Sequence, residues 1–459
     1  MAKPKNIIVF MTDDHGQWAL GSSGNPTIQT PNLDYLARTG VVMENAFTPT
    51  PVCSPARANF LTGKTSSQHG VHDYLDNDPH LFERDWLANE TTIATLLAKE
   101  GYATGMVGKW HLGNDPVRQH GFHDWFSLAG DYPIDATGSA RYSTGSEFKT
   151  IRGSKADILT DAAVQFLRSL DGTKPFFLFV CHVSTHSEWA GHPERLVSRY
   201  RGLDFREVPQ TETYPFGEQN LESRDLIDRS HTRDALAQYY AAVTNIDEGV
   251  GRVISELDTL DLRDQTLIVY TSDHGLNCGH HGIWGKGNGT LPLNMVEESI
   301  RVPLILSCPS SLPVGQRRKE LVDHLDLFQT LLDFASLQRP KGEYAGQSYL
   351  DLLVTSQTTR PWRQSQCCEF GTVRMIKSSR YKFVEHYEGA KGQLFDLLND
   401  PREMRDVMDI AASDQTVRKL MDKLSRFYER FSAPKKSGRR LGGPELTNAT
   451  SPWAANHNP

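Results

Sequence analysis

No stretch of this chain reaches the roughly 18 consecutive apolar residues that a membrane-crossing helix needs, so the sequence offers no transmembrane segment and no membrane partner. After Met1-Ala2-Lys3-Pro4-Lys5 the apolar run is short, Ile7 to Met11, too short for the core of a signal peptide. That leads to the expectation of a cytoplasmic protein, or of a periplasmic or secreted one if a leader has been removed. Cysteine is scarce: six residues, at 53, 181, 278, 308, 367 and 368, with no CxxC pair and no zinc spacing. Adjacent Cys367 and Cys368 do not suit a bond with each other, so reduced core thiols are expected, as a cytoplasm allows. An excess of positive charge is also missing. Lys and Arg number 49 against 56 Asp and Glu, a net charge of −7, which argues against a nucleic-acid surface. No internal repeat is evident, which removes solenoids.

What is present is ordinary globular composition, 38% hydrophobic and 23% charged over 459 residues, enough for two cores. Continuous apolar runs mark buried parallel strands at Ile7 to Met11, Tyr102 to Val107, Pro175 to Val180, Thr266 to Thr271 and Val302 to Ser307. Helical patterns alternate with them: Pro31 capped by Thr30 and stopped near Gly40, Thr91 to Glu100, Ile158 to Leu170, Arg233 to Leu257, and Leu325 to Leu337. That alternation predicts an α/β fold. Asn114 to Ser154 and Gly191 to Ser230 are irregular and polar, and read as long excursions over the top of the sheet. From about Tyr349 short β-like pieces and a final amphipathic helix, Ser413 to Phe431, predict a smaller α+β part. The expected organisation is therefore residues 1–348, then 349–433, then an extended or disordered tail, 434–459, that offers the only hint of a homo-oligomer contact.

Chemistry gathers at the predicted strand ends, where ligands sit in open α/β sheets. Thr12-Asp13-Asp14-His15-Gly16 and Ser272-Asp273-His274-Gly275 each bring carboxylates to such an end, a poor core and a good site for a hard cation. Gly108-Lys109-Trp110-His111-Leu112-Gly113 follows another strand, with Lys109 and His111 spaced to share one side of extended chain. His182 and His186 follow a fourth. Cys53-Ser54-Pro55-Ala56-Arg57 places a thiol just before a short helix, Pro55 to Leu61, whose N-terminus favours an anion. Arg57, four residues on, can reach back to the same point.

These pieces together resemble the type I sulfatases of the alkaline-phosphatase superfamily. The resemblance rests on Asp13-Asp14, Cys53-x-Pro55-x-Arg57, Gly108 to Gly113, Thr185-His186, Asp273-His274-Gly275, Gly285-Lys286-Gly287 and the run Glu298 to Pro303, and it spans about residues 5 to 335. It implies a large mixed sheet sandwiched by helices, with the smaller C-terminal α+β subdomain. It implies that a formylglycine-generating enzyme oxidises Cys53 to Cα-formylglycine, whose hydrate attacks sulfur with one hydroxyl and expels sulfate with the other. It implies a cation held by Asp13, Asp14, Asp273 and His274 with the modified Cys53, Ca²⁺ being expected and Mg²⁺ or Mn²⁺ the alternatives. Arg57 would fix the nucleophile, and Lys109 and Lys286 would neutralise the sulfuryl oxygens. His111 would take the proton during sulfate release and His186 would protonate the leaving alcohol, with His182 a weaker candidate. Asp273 would also help deprotonate the attacking hydroxyl.

The substrate implied is a sulfate ester, small or oligosaccharide. Trp189, Tyr132, Tyr142, Tyr214 and His192 in the excursions suggest a sugar stacked on aromatics, and the loop Gly285 to Thr290 reads as polar and roomy. Two other readings stay open at this level: a phosphonate monoester or phosphodiester hydrolase on the same scaffold, and a binding protein without turnover.

Overall fold

Ile7 to Met11 carries apolar side chains on both sides, and both sides are buried, because this strand lies at the centre of a sheet with helices on each face. A computed structural model describes residues 5–75, 82–129, 136–187, 189–209, 213–219, 229–355, 361–386, 391–411 and 414–438. The strands of the main sheet are β1 (Asn6–Thr12), β2 (Val41–Phe47), β3 (Ala103–Gly108), β4 (Asp124–Leu128), β5 (Ser139–Ser143), β6 (Phe148–Arg152), β7 (Phe176–His182), β8 (Thr266–Ser272), β9 (Leu304–Ser307) and β10 (Gln316–Asp323). They form one mixed ten-stranded sheet in the order β10-β2-β9-β8-β1-β7-β3-β4-β5-β6. The central strands β8, β1, β7 and β3 run parallel, with Ile8 level with Ile268 on one side and Leu178 on the other.

The helices divide by face. Leu33 and Leu36 of α1 (Pro31–Arg38), Leu159 and Ala163 of α4 (Lys155–Ser169), and Ile246 and Val250 of α5 (Arg229–Thr259) pack with Ile8 and Phe10. Phe60 and Leu61 of α2 (Cys53–Thr62), Ile93 and Leu97 of α3 (Ile93–Lys99), and Leu327 and Leu331 of α6 (His324–Phe334) pack with Ile7, Val9 and Met11. A separate antiparallel sheet, β11 (Gln366–Phe370), β12 (Val373–Lys377), β13 (Tyr381–His386) and β14 (Gln393–Asp396), is backed by Val417, Leu420 and Leu424 of α7 (Gln415–Arg430).

Several sequence expectations are corrected. Asn114 to Ser154 is not one irregular excursion: β4, β5 and β6 lie within it and extend the sheet to its edge. β5 exposes one face and β6 nearly all of its residues, while β4 (Asp-Trp-Phe-Ser-Leu) interleaves polar with apolar residues, so no continuous apolar run marks them. β10 was missed because it is a charged edge strand, Gln-Arg-Arg-Lys-Glu, a composition that protects sheet edges from further pairing. Cys53 is the first residue of α2 rather than the residue before a helix, and Val52 holds the extended capping position. Residues 433–438 do not hang free. Ala433 N–H donates to the Ser67 carbonyl at 2.8 Å and Gly438 N–H to Ser67 Oγ at 3.2 Å, while His72 Nε2 meets the Lys436 carbonyl at 2.6 Å. The rest of the expected tail, and Tyr132, lie outside the described residues.

Candidate active site

Parallel pairing carries three chain segments to one end of the sheet and holds them past the strand ends. Asp13 N–H donates to the His182 carbonyl at 3.0 Å, Asp273 N–H to Thr12 at 3.0 Å and Lys109 N–H to Cys181 at 2.9 Å. Asp13, Asp273 and Lys109 therefore stand side by side. Cys53 arrives from the N-terminus of α2, and Lys286 from a loop.

Cys53 Sγ lies 3.1 Å from Asp13 Oδ1, 3.1 Å from Lys286 Nζ and 3.3 Å from His274 Nε2. Lys286 Nζ also donates to Asp14 Oδ1 at 2.7 Å, and Lys109 Nζ to Asp13 Oδ2. Arg57 is 1% exposed. Its Nε and Nη2 both reach Asp273 Oδ2, at 3.1 and 2.9 Å, and Nη1 donates to the Lys109 carbonyl at 2.7 Å. His274 Nδ1 faces the Gly275 carbonyl at 2.9 Å, which turns Nε2 towards Asp14 Oδ1 at 3.2 Å and Asp273 Oδ1 at 3.4 Å. Asp13, Asp14, Cys53 and His274 each offer a ligand atom within 4.8 Å of the others, all buried. Such a set can hold a divalent cation.

Electrostatics follow from this crowding. Burial pushes the Asp13 carboxyl up, as does Cys53, but Lys109, His186 and Lys286 together hold it well below the usual carboxylate range. Asp273 goes the other way, to about 7, through burial and the neighbouring Asp13 charge, which outweigh His274 and Arg57. Burial alone would raise the Cys53 thiol. Lys109, Lys286, His274 and a hydrogen bond with His111 bring it well below its ordinary value, so a nucleophile here favours its ionised form. His274 is lifted to about 9: burial opposes its charge, and Asp273 overrides burial.

His111 reaches the Leu75 carbonyl through Nε2 at 2.8 Å, and its side chain also interacts with Cys53. Lys109 and His111 do not approach on extended chain as expected; β3 ends at Gly108, and His111 has a left-handed φ of 58°. His186, whose Nδ1 faces the Ser187 carbonyl, feels the charges of Asp14, Asp13 and Lys286. His182 does not share the site. It projects to the opposite face of the sheet, stacked on Phe10 at 6.4 Å, fully buried.

Two expectations about the surroundings also change. The loop around Lys286 is tied down rather than roomy, since Asn294 Nδ2 donates to the Lys286 carbonyl at 2.9 Å and Gly287 N–H to Pro51 at 3.2 Å. Trp189, Tyr142 and Tyr214 are buried among other aromatics: Trp189 against Tyr239 and Trp284, Tyr142 stacked on Phe126, Tyr214 against Phe216. His192 is likewise buried. These side chains pack their loops and offer no face for a sugar. Sequence reasoning also passed over Tyr239, Ser272, Asn294 and the Leu75 carbonyl, all of which hold site residues in place; no sequence signal distinguishes them.

A nucleophile among lysines and an acidic, cation-ready cluster, at the carboxyl end of a mixed α/β sheet, defines a hydrolase of anionic esters. The chain belongs to the Sulfatase family, which it matches over residues 5–337, and residues 279–430 match the N-sulphoglucosamine sulphohydrolase C-terminal family. It is a sulfuric ester hydrolase. It is 27% identical to N-acetylglucosamine-6-O-sulfatase of Bacteroides thetaiotaomicron, with 94% of this chain and 87% of that one aligned. A structure solved in complex with its substrate D-glucosamine-2-N,6-O-disulfate superposes with a TM-score of 0.82 at 24% identity, covering 94% of this chain and 98% of the other. The phosphonate monoester hydrolase of Agrobacterium radiobacter shares the fold with a TM-score of 0.69 at 20% identity, covering 93% and 96%. That likeness shows the fold alone; the family match and the sulfatase relative favour sulfate ester hydrolysis over the phosphonate reading.

Proposed function

We propose that this sulfatase cleaves a sulfate ester on a carbohydrate, a 6-O-sulfated hexosamine being the first substrate to try. The observation that carries the reading is the convergence on Cys53 Sγ of Lys286, Asp13 and His274 within 3.3 Å. The sugar is suggested by the relative named as an N-acetylglucosamine-6-O-sulfatase and by the similar structure solved with a 6-O-sulfated glucosamine.

Cys53 Sγ stands where the oxygens of a Cα-formylglycine would be. That residue, hydrated, supplies a hydroxyl to attack sulfur and a second hydroxyl whose deprotonation releases sulfate. A divalent cation fits the same place: buried carboxylate oxygens and one imidazole nitrogen converge, and their negative field already lifts Lys286 and His274. Asp13, Asp14, Asp273, His274 and the modified residue 53 would hold it, and it would supply charge stabilisation for a sulfate oxygen. The oxygen-rich set suits Ca²⁺ first, with Mg²⁺ or Mn²⁺ as alternatives.

The chain's own groups take the following parts. Arg57 fixes the nucleophilic residue through Asp273 and the backbone of Lys109. Lys109 and Lys286 neutralise the sulfuryl oxygens as charge shifts in the transition state. His111, with Nε2–H donating a hydrogen bond to the Leu75 carbonyl, accepts a proton at Nδ1 during sulfate release. His186 protonates the departing sugar oxygen. Residues 1–348 carry this chemistry, and residues 349–433 form a subdomain beside it.

The test is a peptide mass at Cys53 in protein produced with a formylglycine-generating enzyme, followed by sulfate release from N-acetylglucosamine 6-sulfate and 4-nitrophenyl sulfate. The expected result is the thiol-to-aldehyde mass change, with turnover of both esters that disappears in Cys53→Ala and after chelation. An unmodified thiol together with full activity would overturn the mechanism. Turnover of the aryl ester but of no sulfated sugar would overturn the substrate.

A further inference from the structure

Adjacent residues of an extended chain point to opposite sides, so Asp13 and Asp14 cannot both face one ion on a strand that simply continues. They do so because the backbone turns at Asp14, whose φ is 59°, in the left-handed region that costs a residue with a side chain about 1 kcal/mol or more. Something must hold that turn.

Its polar backbone groups are held by side chains from elsewhere. Ser272 Oγ accepts from His15 N–H at 2.9 Å and donates to the Thr12 carbonyl at 3.1 Å. Thr185 Oγ1 donates to the Asp13 carbonyl. The Tyr239 hydroxyl spans the turn: it donates to the Asp14 carbonyl at 3.0 Å and accepts from Gly16 N–H at 3.0 Å. Tyr239 comes from α5, is fully buried, and has its ring gripped between Trp18 and Trp189, with centroids 5.7 and 5.9 Å away. A single hydroxyl thus bridges the carbonyl of the strained residue and the Gly16 N–H two residues on, from a fully buried ring.

We propose that Tyr239 is a positioning residue for the cation: its hydroxyl clamps the left-handed turn at Asp14 and so presents the Asp13 and Asp14 carboxylates to one ion. This rests on the proposed cation at these carboxylates. Removing the hydroxyl leaves a buried carbonyl and a buried N–H without partners, and the turn relaxes towards ordinary backbone. Tyr239→Phe keeps the ring and its packing, so the loss is confined to the clamp.

Tyr240→Phe is the control. Tyr240 is the next residue on α5 and also buried, but its hydroxyl serves Asn25 and Glu207, at 2.9 and 2.7 Å, away from the turn. The experiment is calorimetric titration of Ca²⁺, and separately Mn²⁺, into chelator-stripped full-length wild type and both variants, with melting curves before and after the ion. The expected result is a dissociation constant raised about tenfold in Tyr239→Phe, as part of the cost of two lost buried hydrogen bonds reaches the ion, while Tyr240→Phe binds as wild type does. Ion-free melting temperatures would fall in both variants, and the ion-induced rise in melting temperature would shrink in Tyr239→Phe alone. Wild-type affinity in Tyr239→Phe, or an equal loss in both variants, overturns the clamp while leaving the cation in place. A wild type that binds neither ion overturns the cation reading and the clamp with it.

Discussion

His186 sits where two opposing influences meet. Burial and Lys286 disfavour its proton, yet the Asp14 and Asp13 carboxylates raise it above its ordinary value. A histidine that holds its proton more tightly than usual, in the field of these carboxylates, is suited to give that proton to a leaving oxygen. His186→Asn is therefore expected to lower kcat on a sugar sulfate by about 10²–10⁴-fold. With 4-nitrophenyl sulfate, whose leaving group needs no proton, the loss should be far smaller. Equal losses on the two esters would remove His186 from this role. At this scale much of the candidate site was legible in the sequence, because Asp13, Asp14, Cys53, Lys109, Asp273 and His274 stand at strand or helix ends and Arg57 one turn into α2, where a core would want no such groups. Tyr239 was not legible. On α5 it occupies the apolar stripe with Leu236 and Val243, and nothing in a one-dimensional pattern separates a tyrosine that packs from one whose hydroxyl holds a turn.

Elements place these residues by close approach. At the end of β3, Gly108 has a φ of 109°, and a Cβ there would lie 2.0 Å from the Cys181 carbonyl oxygen of β7. Gly108→Ala should therefore push β3 and Lys109 away from the site. The expected loss is about 1–3 kcal/mol from the backbone alone, read as a lower urea midpoint, together with a fall in sulfate release larger than that loss explains. The central strands were found by their continuous apolar runs. β4, β5, β6 and β10 escaped because each has an exposed face or edge and charged or small residues there, so neither a buried run nor a clean alternation appears. The C-terminal sheet is fastened by charge. Lys382 of β13 is fully buried, 2.9 Å from Glu297 and 2.5 Å from Glu403. Nearby Lys377 of β12 reaches both oxygens of Glu297 at 2.6 Å. Lys382→Met leaves buried carboxylates short of a partner and should cost about 3–5 kcal/mol, visible in equilibrium unfolding. A change under 1 kcal/mol would show that the network is dispensable.

Across the whole molecule, buried histidines set the response to acid. Burial pushes His15, His182, His280 and His324 down to about 4. The unfolded chain takes up these protons from about pH 6.5 downwards and the native state does not. Their contribution is therefore fully present above pH 6.5, is lost as pH falls from there towards 4, and levels off below. On the order of 2 kcal/mol for each by pH 5, partly offset by Asp273 and Asp326, which burial lifts to about 7, makes a lower urea midpoint at pH 5 than at pH 7.5 the expected outcome; a flat profile would contradict it. The closed interior also dictates a calendar. Cys53, Ser54, Ala56 and Arg57 are at most 2% exposed and Pro55 is buried with them, so the enzyme proposed to oxidise Cys53 would not reach it once the sheet has formed. The residues that shut this pentapeptide in include His274, 221 positions downstream. At about 5–20 residues per second of synthesis, the unfinished chain leaves the thiol open for tens of seconds, and the oxidation proposed for Cys53 would fall in that interval, on the ribosome's clock.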